Sequence, residues 1–198
     1  MSLLIDTDAF CKFACGGLLE RAIALFGLPA AECARLPALP HMLRRGALHR
    51  RLGAALSARL LSESTRLTVA PAPGLQWLNV LKPYTQIDPG EAQLLALAAE
   101  HGAFLLTGDK RALQEVRNIP ELVRALAGRI AVPEAVLLAL CAVHGDEAVR
   151  SAAIEAAPLD TMFRVCFSKS EQEPRLAVRS YLDDTRAKLR PLELWELS

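Results

Sequence analysis

The chain is poor in aromatic residues and almost neutral, and both features limit how it could bind nucleic acid. Phe, Trp and Tyr make up only 5% of the 198 residues, so the sequence shows no aromatic platform on which unstacked bases could stack. The formal net charge is +1, so a nucleic-acid site would have to be a local basic patch rather than a global field. Any such contact is expected to follow the phosphate backbone rather than the bases.

Cysteine is also scarce, and the few present lack the spacing of a disulfide or zinc framework. There are five cysteines, an odd number, and none form a CxxC pair. Cys11 and Cys15 lie one helical turn apart and are expected to pack in the core, because free cysteine is commonly buried. The sequence therefore favours a reducing compartment.

Long apolar runs and a basic leader are absent as well. The longest apolar run covers residues 135–143 and is shorter than the roughly 20 residues that a membrane span needs. The chain begins Met-Ser-Leu-Leu-Ile-Asp and meets an acid before any basic residue, which is not the pattern of a signal peptide. We therefore expect a cytoplasmic protein with no membrane partner.

Apolar runs and helical patterns alternate along much of the chain, which indicates an α/β fold with a parallel sheet. Hydrophobic residues reach 52%, so the chain can bury a sizeable core. The predicted strands are 2–6, 103–106 and 128–133. The predicted helices are 7–26, a helical region at 36–63, then 75–81, 88–101, one from 110, 121–126 and 134–143.

The alternation fades after about residue 145, which suggests a two-part organisation. Residues 1–145 are predicted to form the α/β domain, and residues 146–198 a mainly helical extension packed on it. Helices are predicted at 146–156 and 173–188, with a strand at 162–167. Apolar residues recur at helical spacing near the end of the chain, and a disordered tail would lack them.

Three acidic residues occupy the ends of strands or the start of a helix. Asp6 ends the first apolar run, Asp109 follows Leu-Leu-Thr-Gly, and Glu91 opens a strongly apolar helix. Ligands of open α/β sheets bind beyond the carboxyl ends of parallel strands, so we expect these carboxylates to converge. Converging carboxylates repel one another unless a cation neutralises them, and oxygen ligands suit Mg²⁺ or Mn²⁺.

Each acid also has a simpler interpretation as a helix cap. Glu91 fits the reciprocal member of a capping box that begins at Asp88, with Pro89 at the first helical position. Asp109 fits the cap of the helix from Lys110, and Asp6 that of the first helix. Capping does not explain why three acids follow this pattern together.

The same segments resemble the PIN-domain family of nucleases, which includes the VapC-like toxins. Leu-Ile-Asp6-Thr-Asp8 is similar to the end of the family's first strand. The segments Asp88-Pro-Gly-Glu91 and Leu-Leu-Thr107-Gly-Asp109 are similar to its later helix start and strand end. The resemblance covers about residues 1–145 and implies a PIN-like three-layer sandwich.

The resemblance implies a metal-dependent endoribonuclease. It assigns catalysis and Mg²⁺ or Mn²⁺ binding to Asp6, Glu91 and Asp109, with Asp8 and Thr107 in support. It further implies RNA as substrate, an antitoxin protein as a candidate partner, and pairing into a homodimer. Many family members carry a further acid shortly after the third. Here that stretch reads Arg-Ala-Leu. Glu115 is the nearest acid after it, and Asp88 is a second candidate for the fourth acid.

A dense basic run is the candidate RNA-binding surface. Arg44, Arg45, Arg50 and Arg51 lie in it, and Lys110 follows the third acid. Such a run either lines a groove that neutralises phosphates or forms the solvated face of a helix. The sequence alone leaves both interpretations open.

Two other functions compete with the nuclease. One is a degenerate PIN-like module that binds RNA or protein without cleavage, consistent with the missing fourth acid. The other is a phosphatase resembling the haloacid dehalogenase family, because Asp6-Thr-Asp8 is similar to its Asp-x-Asp motif. The phosphatase interpretation leaves Glu91 without a role.

Overall fold

A parallel sheet forms the centre of the α/β fold, as the alternation of apolar runs predicts. The computed structural model describes residues 2–168, 170–171 and 173–197. In these residues five strands pair in parallel in the order β3-β2-β1-β4-β5. They are β1 (Leu3–Ile5), β2 (Cys33–Arg35), β3 (Thr68–Val69), β4 (Phe104–Leu106) and β5 (Ile130–Ala131). The architecture is a three-layer α/β sandwich, which confirms the predicted fold class.

Thirteen α-helices surround the sheet in the part of the chain that the structure describes. A short 3₁₀ turn at Ala30–Glu32 precedes β2. The helices are α1 (Thr7–Cys15), α2 (Leu19–Ala24), α3 (Leu39–Arg44), α4 (Ala47–Leu52), α5 (Ala54–Ser64), α6 (Leu75–Leu81), α7 (Pro89–His101), α8 (Lys110–Val116), α9 (Pro120–Leu126), α10 (Pro133–His144), α11 (Asp146–Ala156), α12 (Thr161–Cys166) and α13 (Pro174–Leu189).

The helix that carries Glu91 begins and ends where the sequence predicts. Asp88 accepts a hydrogen bond from the Glu91 amide, and the Glu91 side chain accepts one from the Asp88 amide, so the capping box is confirmed. Gly102 ends α7 in the left-handed conformation, with φ of 61°. A residue without a Cβ adopts this conformation at little cost. Strand β4 then begins two residues later.

Two predicted helices are divided by glycines. The first predicted helix, 7–26, is wrong as one element, because Gly16 and Gly17 separate α1 from α2 and Gly17 has a φ of 69°. The helical region 36–63 contains three helices, separated at Gly46 and Gly53, which also have positive φ. In each case the apolar pattern continues across a glycine that turns the backbone.

The strand predicted at 162–167 is wrong, since this segment forms α12. Asp160 caps it by accepting hydrogen bonds from the amides of Met162 and Phe163. Met162, Phe163 and Cys166 are buried, and this i, i+1, i+4 spacing follows one face of a helix. Strands β2 and β3 were not predicted from the sequence.

The register of the sheet brings the strand ends together at one edge. In the central strand β1, Ile5 pairs with Arg35 of β2 and with Leu106 of β4. The Asp6 amide donates to the Leu106 carbonyl at 3.0 Å. Asp6 and the segment after β4 therefore leave the sheet side by side.

The residues after 145 pack on the α/β core. Helix α11 contacts α1 and α10, and α13 contacts α10 and α8. Gly16 permits this approach, because a Cβ there would lie 2.2 Å from the Ala152 carbonyl oxygen. Near the end of the chain, Trp195 stacks on Phe26 with ring centroids 4.6 Å apart, and Leu194 bridges to Ile130 beside the sheet.

Within the described residues, no helix combines the length and hydrophobicity that a membrane span requires.

Candidate metal centre

One cleft at the carboxyl edge of the sheet contains all three acids that the sequence selects. Its volume is about 400 Å³. Carboxylates form one part of its wall, and an arginine with small or apolar side chains from α3 and α4 forms another. The lining residues are Asp6, Thr7, Asp8, Met42, Ala47, Leu48, Arg51, Asp88, Glu91, Gly108 and Asp109.

Asp6 is held by the start of α1. One carboxylate oxygen accepts from the Thr7 amide at 2.7 Å, which makes Asp6 the N-cap of this helix. Burial, with a smaller contribution from the negative charges of Asp8 and Asp88, raises the pKa of Asp6 from its ordinary 3.8 to about 6, although the hydrogen bond from the Thr7 amide lowers it. Asp6 is thus both a cap and a carboxylate in a negatively charged cleft.

Glu91 and Asp109 form a carboxyl pair across the cleft. Each carboxyl group shifts the pKa of the other, and a hydrogen bond between two carboxyl groups requires a proton on one of them. Burial, followed by this hydrogen bond, raises the pKa of Glu91 to about 8. Burial acts to raise the pKa of Asp109 too, but the bond with Glu91 and those from backbone amides lower it overall. Glu91 therefore carries the shared proton.

The Asp109 carboxylate is oriented by backbone amides. Oδ1 accepts from the amides of Arg111 and Ala112 at 2.8 and 3.0 Å, so Asp109 caps α8. Its own amide donates to the Thr107 hydroxyl at 3.2 Å. Thr107 is buried beneath the turn, where it fixes the path of the chain rather than lining the cleft.

The donor set fits a hard divalent cation. The cleft presents carboxylate oxygens, and neither cysteine nor histidine is among its lining residues; such oxygens suit Mg²⁺ or Mn²⁺. The buried Thr7 hydroxyl, also on the cleft wall, has no hydrogen-bond partner among the described residues. In that same part of the chain, no group of three or more His, Cys, Asp or Glu side chains is arranged so that it could hold a metal ion. Metal binding would replace the proton between Glu91 and Asp109.

Asp8 lines the cleft, but its carboxylate is paired with the positively charged side chains of Lys12 and Arg51. Its carboxylate lies 2.5 Å from the Lys12 ammonium and 3.8 Å from the Arg51 guanidinium. Lys12 is also 2.5 Å from Asp160, which precedes α12. This arrangement matches a supporting residue better than a metal ligand.

The predicted RNA-binding residues lie in different places. Arg51 lines the cleft, whereas Arg44, Arg45 and Arg50 are exposed and do not line it. Lys110 donates to the buried Glu134 at 2.5 Å and is not part of the cleft wall either. Only one of the five basic residues is therefore beside the acids.

Sequence reasoning missed several residues of this region. Lys12 follows Asp8 by four positions on a predicted helix, a spacing at which opposite charges pair, so a signal for it was present. Asp160 is distant in sequence, and only the packing of the extension brings it to Lys12. Met42 and Leu48 were not singled out, because apolar residues at helical spacing are usually core.

The chain was also compared with known proteins. No protein-family model, no curated protein and no solved structure matches it. The residues of the cleft are therefore the basis for its proposed function.

Proposed function

We propose that the cleft is the active site of a metal-dependent endoribonuclease, in keeping with the resemblance to the PIN-domain, VapC-like nucleases. One observation carries the proposal. Asp6, Glu91 and Asp109 come from three separate elements and line one cleft, where burial and neighbouring acids raise the pKa of two of them. Clustered carboxylates with raised pKa values are a recognised feature of functional sites.

The three acids are suited to hold Mg²⁺ or Mn²⁺. A bound ion would stabilise charge on a phosphate and lower the pKa of a water molecule, which are the two requirements of phosphodiester hydrolysis. Glu91 and Asp109 would lose their shared proton when they bind it. The backbone hydrogen bonds to Asp6 and Asp109 keep these carboxylates at the cleft wall.

Arg51 supports a polyanionic substrate. Its guanidinium is partly exposed at the cleft wall, and its contact with Asp8 is long, at 3.8 Å. A guanidinium in this position can donate to a phosphate oxygen. RNA is thus the proposed substrate, and the antitoxin and homodimer remain proposals that follow from the family resemblance.

The test is RNA cleavage by an isosteric variant. Glu91→Gln removes the charge but keeps the shape of the side chain, and we expect it to lower Mn²⁺-dependent cleavage of single-stranded RNA by at least about 100-fold, as for loss of a group that stabilises the transition state. Glu121→Gln, on the exposed first turn of α9, makes the same chemical change away from the cleft and should cleave like the wild type.

The competing functions give different results in this assay. A degenerate binding module would bind RNA without metal-dependent cleavage by the wild type. A phosphatase would release phosphate from a small phosphomonoester and leave internal RNA bonds intact. Equal cleavage by the wild type and Glu91→Gln would reject the assignment of Glu91.

A further inference from the structure

We propose that Asp160, in the segment after residue 145, is a positioning residue for the acidic cleft and acts through Lys12. This proposal rests on the proposed function, because it concerns how the same acids are held. It assigns the extension a part in the site, beyond covering the core.

Lys12 lies at a junction of three chain segments. Its ammonium is 2.5 Å from a carboxylate oxygen of Asp8 and 2.5 Å from one of Asp160. It also packs against the turn after β4, since a Cβ on Gly108 would lie 3.4 Å from it. The next residue is Asp109. A displacement of the ammonium would therefore reach both Asp8 and the Asp109 turn.

Asp160 keeps the ammonium in this place. The Lys12 side chain is only 8% exposed and that of Asp160 18% exposed, so water screens the pair weakly. Burial acts to lower the pKa of Lys12, but the charges of Asp8 and Asp160 raise it overall. The other oxygen of Asp160 accepts from the Met162 and Phe163 amides. Asp160 is thus fixed to α12 and anchors Lys12 from outside the α/β core.

A second contact holds the same turn from the other side. Lys110, which follows Asp109, donates to the buried Glu134 carboxylate at 2.5 Å. Thr185 of α13 approaches the same oxygen of Glu134 at 3.4 Å. Residues 108–110 therefore lie between two polar contacts that lead to the C-terminal helices.

The test compares Asp160→Asn with Val178→Ala in the full-length protein. Asparagine caps a helix as well as aspartate, so Asp160→Asn removes the charge opposite Lys12 and retains the cap. Val178 is buried in α13, and its truncation weakens packing of the extension without touching Lys12. Val178→Ala thus controls for a general loss of stability.

The first readout is amide hydrogen exchange at Arg111 and Ala112, whose amides donate to Asp109. We expect Asp160→Asn to accelerate their exchange, and to lower the kcat of RNA cleavage by about 10-fold with KM little changed, the size of effect seen for residues that orient ligands of a metal. Val178→Ala should change neither the exchange rate of these amides nor the kcat of RNA cleavage. Restoring the charge with Asp160→Glu should recover part of the cleavage.

Two results would overturn the proposal. One is an Asp160→Asn protein whose exchange at these amides equals that of Val178→Ala. The other is full cleavage by Asp160→Asn despite faster exchange, which would make Asp160 a purely structural residue. A wild type that cleaves no RNA would refute the proposed function, and the exchange comparison would still decide whether Asp160 positions Asp109.

Discussion

At the residue scale, the three acids at helix starts combine hydrogen bonds to backbone amides with a position in the cleft. Asp6, Glu91 and Asp109 each accept a backbone hydrogen bond at a helix start, as the simpler capping interpretation predicts. Each also lines a cleft with other acids, which capping does not require. A cap needs only one carboxylate oxygen, so the same side chain can present the other to a ligand. The two interpretations are therefore compatible.

Asp6→Asn tests the electrostatic cost of the cleft. Because the folded-state pKa of Asp6, about 6, exceeds its ordinary 3.8, the folded chain holds this proton more tightly than the unfolded chain does. Protonated Asp6 therefore contributes stability in full at a pH below its ordinary pKa of 3.8. This contribution is lost as the pH rises through the folded-state pKa of about 6. Asparagine keeps the cap without acquiring this charge.

We expect Asp6→Asn to unfold at higher urea concentration than the wild type at pH 7.5 with EDTA. One pKa unit corresponds to about 1.4 kcal/mol. After a discount for solvent screening, the free energy of unfolding of Asp6→Asn should exceed that of the wild type by about 1–2 kcal/mol. The two proteins should differ little at pH 4. A variant that is less stable than the wild type at pH 7.5 would show that the ionised carboxylate stabilises the fold.

At the element scale, most helices and the strands β1, β4 and β5 were predictable, whereas the short strands β2 and β3 were not. The capping box at Asp88 and the stop at Gly102 mark α7 in the sequence, and the structure places both as expected. Strand β2 has three residues and ends in Arg35, whose buried guanidinium donates to the Ser64 and Leu36 carbonyls. The Ser64 carbonyl is 29 residues away in sequence, so the sequence alone does not show that the charge of Arg35 is satisfied, and a charged residue argues against a buried strand.

The direction of the charges in the basic run at residues 44–51 was not predictable from the sequence either. Its charges are visible in the sequence, but their direction depends on where Gly46 and Gly53 turn the chain around α4. The structure directs Arg51 to the cleft and leaves Arg44, at the end of α3, exposed elsewhere. Only the three-dimensional arrangement separates an arginine that lines the cleft from one that is exposed elsewhere.

Arg51→Ala and Arg44→Ala test this distinction. In the Glu91→Gln background, which is expected to slow any cleavage, Arg51→Ala should weaken RNA binding and reduce the slope of log affinity against log salt by about 1, as for one lost phosphate contact. Arg44→Ala should leave the slope unchanged. Fluorescence anisotropy across a salt series measures both. An equal decrease in slope for both variants would place the RNA along α3 and α4 rather than in the cleft.

At the scale of the whole molecule, the parallel sheet explains why distant acids meet. The central strand β1 lies between β2 and β4, so residues that follow β1 and β4 leave at one edge. This convergence could be predicted from strand-end positions alone. The link from Asp160 to Lys12 could not, because it depends on how α11 and α12 pack on the core, and the sequence contains no pattern that specifies that packing.

The most direct test of the central claim is an anomalous-difference map from crystals of the full-length protein soaked in Mn²⁺. We predict a peak in the cleft with carboxylate oxygens of Asp6, Glu91 and Asp109 at about 2.0–2.6 Å, the range for oxygen ligands of divalent cations. Crystals of Glu91→Gln in the same soak should show a much weaker peak. A strong wild-type peak elsewhere with none among these three acids would contradict the assignment of the cleft as a metal centre.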